Sequence, residues 1–178
     1  DFDNRDGVAA GHMDFETVAT HELGHALGFV SSVDTIDTLI TNGQEGDVAA
    51  HLLDLFRFDV ASVPGTFDAF TSAARSLEPG EAAVFSDTAG QYSFSTGVNE
   101  GDGRQASHWK DGNLSGDVIG MMDPTLAPRQ VLDVTEADYR ALDLVGYDIA
   151  AVPLAPAHLL LASALPVLLL ASGSFRRR

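Results

Sequence analysis

The chain contains no cysteine. A disulfide framework, a thiolate zinc finger, a Cys-ligated iron–sulfur centre and a cysteine nucleophile are therefore excluded, and any metal site must draw on His, Asp, Glu or carbonyl oxygens. Positive charge is scarce as well: 10 Lys and Arg stand against 26 Asp and Glu in 178 residues, a formal charge of -16. So acidic a surface repels phosphate backbones, and no nucleic-acid partner is expected. What remains is enough for a folded body, since 45% of the residues are hydrophobic and the length suits one domain.

Charge is unevenly spread. From Val152 onward there is no acid, and the only basic residues are Arg176, Arg177 and Arg178. The chain divides accordingly into an acidic body, residues 1–150, and an apolar, basic-ended tail, residues 151–178. It opens at Asp1 without an initiator Met, which reads as a fragment or a processed form, so the missing export signal carries no information about location.

The first fourteen residues are rich in Gly and Asp. Asp1, Asp3, Asp6 and Gly7 resemble a calcium loop only loosely, because Arg5 occupies a ligand position and no Glu closes the loop; a solvated turn is the expectation. Asp14 can cap a helix whose apolar positions, Phe15, Val18, Ala19, Leu23, Ala26 and Leu27, predict one buried stripe, with Gly28 as its stop. The stretch Ser31–Asp47 is polar and rich in Asp, Thr and Gly, and Val48–Phe58 reads as a short helix or strand. A short helix is expected near Phe67–Ala74. A hairpin is expected from Ala83–Phe85 and Gln91–Ser95. Val118–Met122 is a brief apolar run that Asp123-Pro124 ends. Thr135 and Asp138 form a capping-box pattern ahead of a helix that Gly146 closes.

Within the first helix, His21-Glu22-Leu23-Gly24-His25 matches His-Glu-x-x-His. Four residues advance a helix by about 400°, so both imidazoles lie on one face and can share a zinc ion. Glu22, at the edge of that face, is placed to take a proton from a water whose pKa the metal lowers to about 7. Taken on its own, a pattern with three fixed positions also arises by chance, and two His on a helix can be plain surface residues. Its place on an apolar-periodic helix and its extension through Gly28-Phe29 favour the metal site.

His21–Phe29 resembles the active-site helix of metzincin-type zinc metalloproteases. Their longer motif would put a third His at position 31, where this chain has Ser31. Asp34, Asp37, His51, His12 and His108 are the alternatives for the third ligand. His108 precedes Met121-Met122 and Asp123-Pro124, and this order resembles leishmanolysin-like proteases, in which a long insertion separates the helix from the third His and a Met-containing turn follows. The resemblance implies His108 as third ligand and Met122 as an apolar floor beneath the metal, while Trp109 is expected in the core. The stretch 137–148 is similar to the closing helix of secreted bacterial members. The implied fold is α+β, a zincin/metzincin-like catalytic domain. Since only a short loop precedes the helix, its N-terminal sheet is expected to be missing. The implied activity is zinc-dependent hydrolysis of a polypeptide substrate, with Glu22 catalytic and His21, His25 and His108 binding the metal. The rival reading is a non-catalytic zinc-binding surface protein, a degenerate zincin or adhesin-like module.

In the tail, Leu159–Ala171 is apolar but broken by Pro166 and short of the about 20 residues a spanning helix needs. Val-Pro-Leu-Ala-Pro, an apolar run and an Arg cluster resemble the PEP-CTERM class of bacterial sorting signals. That resemblance implies a C-terminal hydrophobic helix, transient membrane anchoring, an exosortase-type processing partner and an envelope or extracellular destination.

Overall fold

The computed structural model describes residues 1–3 and 5–149. The expectations for the tail, including its hydrophobic helix, lie outside the described residues. Helix α1 spans Phe15–Ala26, and the Asp14 carboxylate caps it by accepting from Thr17 N at 2.9 Å. Gly28 ends it with φ +109°, a conformation only glycine adopts without strain.

The buried stripe of α1 is not the one expected. Thr17 and Gly24 are its buried residues, whereas Phe15, Val18, Leu23 and Leu27 are 39–60% exposed. The inward face is given over to a close approach: a Cβ on Gly24 would overlap the sulfur of Met122. Val33–Thr41, within the polar stretch, is helix α2, and Val118–Met122 carries neither helix nor strand. Helix α2 is fixed from outside, because Asp37, 2% exposed, accepts hydrogen bonds from the backbones of Val98, Asn99 and Glu100.

A 3-10 turn, Leu52–Phe56, leads into strand β1, Arg57–Asp59. Helix α3, Phe67–Ser72, follows. The expected hairpin is present as β2, Ala83–Ser86, and β3, Gln91–Ser93. The three strands form one antiparallel sheet in the order β1-β2-β3, with Arg57 opposite Phe85 and Phe85 opposite Tyr92. Helix α4 is a single turn, Gly112–Ser115, and α5 spans Glu136–Leu144 behind the Thr135–Asp138 capping box. Gly146, at φ +115°, stops α5 as expected.

The coarse class is α+β. Among the described residues no strand precedes α1, and no helix is long and apolar enough to cross a membrane. The core gathers on Trp109, 0% exposed, which meets Phe29 edge-on at 4.8 Å, Phe85 edge-on at 5.6 Å and stacks on Phe94 at 5.1 Å. Since Trp109 follows His108 directly, this aromatic cluster fixes the segment that carries His108 against the sheet.

Candidate metal centre

Three imidazoles from two distant segments converge. His21 and His25 project from one face of α1, one turn apart. His108 reaches them from the loop before Trp109. The Nε2 atoms are 3.1 Å apart for His21 and His108, and 3.2 Å apart for each of the two pairs with His25.

The opposite ring nitrogens settle the tautomers. His21 Nδ1 faces Met121 O at 2.9 Å, His25 Nδ1 faces Phe29 O at 2.8 Å, and His108 Nδ1 faces Gln105 O at 3.2 Å. A carbonyl oxygen only accepts, so each Nδ1 carries a proton, and the neutral tautomer of each ring turns an unprotonated Nε2 inward. Three lone pairs so close, with no proton between them, repel one another unless a cation lies among them. A tetrahedral zinc ion with bonds of about 2.0–2.1 Å sets its ligand nitrogens about 3.3–3.4 Å apart. The observed spacing fits that requirement, and the three carbonyls supply the outer hydrogen bonds that orient metal-binding imidazoles.

Electrostatics point the same way. Burial first, and then the neighbouring His25 and His21, push the His108 pKa down from 6.5 to about 4. The ring is thus held neutral, the form that binds a metal.

Glu22 is exposed and lines a cleft with His21. The other walls are Thr17 and Val18 of α1, the segment Asp123-Pro124-Thr125-Leu126, and Leu132. A carboxylate and one imidazole of the three-histidine group therefore open onto one groove.

Behind the imidazoles, Met122 is 2% exposed and packs on Gly24. Its segment is held by Asp138, whose carboxylate accepts from Met121 N at 2.8 Å, Met122 N at 3.3 Å and the Trp109 indole at 2.8 Å. The same carboxylate caps α5 through Thr135 N at 2.8 Å. The local sequence pattern marks only the capping role of Asp138, and nothing in it marks the grip on the Met121-Met122 turn.

Of the other candidates for third ligand, none joins the group. Asp34 and Asp37 each accept hydrogen bonds from loop backbones, Ala106-Ser107 and Val98–Glu100 respectively. His51 caps the 3-10 turn, and His12 is exposed. Among the described residues, His21, His25 and His108 are the one group of three potential ligands close enough to hold a metal ion.

Comparison of the chain with protein-family models, with curated proteins and with solved structures found no match.

Proposed function

We propose that this chain is a zinc-dependent metalloendopeptidase of metzincin type, with His21, His25 and His108 holding the metal and Glu22 as general base. The single observation that carries the reading is the set of three inward, unprotonated Nε2 atoms 3.1–3.2 Å apart beside an exposed glutamate. When bound, zinc would lower the pKa of a coordinated water and polarise a substrate carbonyl. The chain's own residues do the rest. Glu22 takes the proton of the attacking water and returns it to the leaving amine. The groove between α1 and Asp123–Leu126 receives the peptide, and the carbonyls of Met121, Phe29 and Gln105 keep the imidazoles in the ligating tautomer.

A purely structural metal site supports the rival reading less well. Such sites are closed by four protein ligands, and the group here has three. The exposed Glu22 also has no packing role. For the tail, we propose transient membrane anchoring through residues 152–178 and exosortase-type processing at the envelope. Deleting Pro153–Arg178 in the exporting host is expected to release the protein to the medium, and unchanged retention would refute that part.

The catalytic reading is tested by Glu22→Gln, which keeps the shape of the side chain but cannot accept the proton. Zinc content should match the parent while peptide cleavage falls by at least about 100-fold, the usual weight of a general base. Equal cleavage removes Glu22 from the mechanism.

A further inference from the structure

His21 and His25 are placed by one helix, but His108 lies 83 residues beyond His25 and needs its own anchorage. Two charged side chains hydrogen-bond the dipeptide just before it. Asp34, in the first turn of α2, accepts from Ala106 N at 2.6 Å through Oδ1. Through Oδ2 it accepts from Ser107 N at 3.0 Å and from the Ser107 hydroxyl.

Arg57, 1% exposed, donates to Ala106 O at 3.4 Å and to Ser95 O at 2.8 Å. Ser95 N in turn donates to His108 O at 3.0 Å. Ser31, which occupies the position of the third His in the shorter motif, donates its backbone N–H to the Ser107 hydroxyl at 2.9 Å. Its own hydroxyl is fixed by Asp54 at 2.7 Å.

We propose that Asp34 is a positioning residue of the metal centre: its carboxylate, together with Arg57, holds Ala106-Ser107 so that the His108 imidazole stands where His21 and His25 need it. The inference rests on reading the three histidines as a metal centre. A helix supplies two ligands at fixed spacing, and the third is brought in by a charged clamp on backbone amides. An amide side chain does not replace this carboxylate, because one of its two ends donates and would face an N–H.

The test is zinc affinity of the full 178-residue chain, measured by competition with a chromophoric chelator, together with thermal unfolding of the metal-free protein. Asp34→Asn should weaken zinc binding by about 10–100-fold, the range for a partner that orients a ligand. In a His108→Ala background the same substitution should weaken it no further. Unchanged affinity in Asp34→Asn overturns the proposal. So does an equal loss in both backgrounds, because a merely structural role would act whether or not His108 is present.

If Asp34→Asn does not fold, Ser107→Ala decides. That change removes only the hydroxyl bonds, and a loss of several-fold in affinity, again absent from the His108→Ala background, is expected; no loss overturns the clamp. A parent chain that binds no zinc refutes the metal centre itself and the clamp with it. A parent that binds zinc but ignores the Asp34 change refutes the clamp alone.

Discussion

His21 and His108 stand 87 positions apart in the sequence and meet at 3.1 Å through their Nε2 atoms, while their Nδ1 atoms bind the carbonyls of Met121 and Gln105. The first of those carbonyls belongs to the turn that packs on α1 through Met122 and Gly24. The second lies in the segment that the aromatic core and the Asp34–Arg57 clamp hold in place. The ring orientations are thus set by carbonyls of the fold itself, an arrangement that lowers the ordering cost of binding a metal ion.

Asp138 is expected to be among the most sensitive polar residues in the protein. Replacement by Ala would leave the Trp109 indole and the Met121 and Met122 amides without their acceptor in a buried setting. Each orphaned donor costs about 1–3 kcal/mol, so a total loss of at least about 3 kcal/mol is predicted by denaturant titration. Asp138→Asn, which keeps one acceptor, should cost less. A loss below about 1 kcal/mol for Asp138→Ala would show that the turn is held by packing instead.

Gly24→Ala tests the close approach of α1 to the Met122 turn. In an exposed helix this change would stabilise by up to about 1 kcal/mol. Here the new methyl overlaps the Met122 sulfur, which is itself buried. Overpacking predicts a net destabilisation of about 1–3 kcal/mol and weaker zinc binding, because Met121 O is displaced from His21. A more stable variant with parental metal affinity would place the turn further from the helix than described.

The pH dependence follows from His108. Its folded pKa is pushed down to about 4 from 6.5, by burial first and then by its neighbours His25 and His21. Between those values the unfolded chain binds a proton that the folded ring refuses, so the metal-free protein loses stability as pH falls from about 6.5 to about 4. The contribution is on the order of 3 kcal/mol. Asp37 extends the loss to lower pH. Burial would raise its pKa, but hydrogen bonds from Asn99, Glu100 and Val98 outweigh that and hold it below 3.8, so its stabilisation is lost as pH falls through that lowered value. Urea midpoints at pH 7 and pH 4.5 should differ less in His108→Ala than in the parent; an equal difference would contradict the assignment.

Helices α1 and α5 were legible because their caps, Asp14 and the Thr135–Asp138 pair, are local signals, and so are the glycines that end them. The His21–His25 pair was legible for the same reason, since its spacing is a property of one helix. Helix α2 was not, because five of its nine residues are Thr or Asp and its order comes from Asp34 and Asp37 binding loops more than 60 residues away. The apolar face of α1 is largely exposed; periodicity identifies a stripe but not whether a partner covers it. His108 could be singled out only by resemblance to a family; no local pattern states which distant His a fold will bring to a helix. The clamp on Ala106-Ser107 had no sequence signature at all, being made of backbone amides.

The proposed centre is one metal ion held by three imidazoles with one position open. X-ray absorption at the zinc edge of the loaded 178-residue chain is the most direct test. The prediction is one zinc per chain, with three imidazole nitrogens at about 2.0–2.1 Å and one further light atom that exogenous azide or hydroxamate displaces. His108→Ala should remove one imidazole from that shell. Absence of stoichiometric zinc, or a fourth protein ligand that no small anion displaces, would contradict the claim.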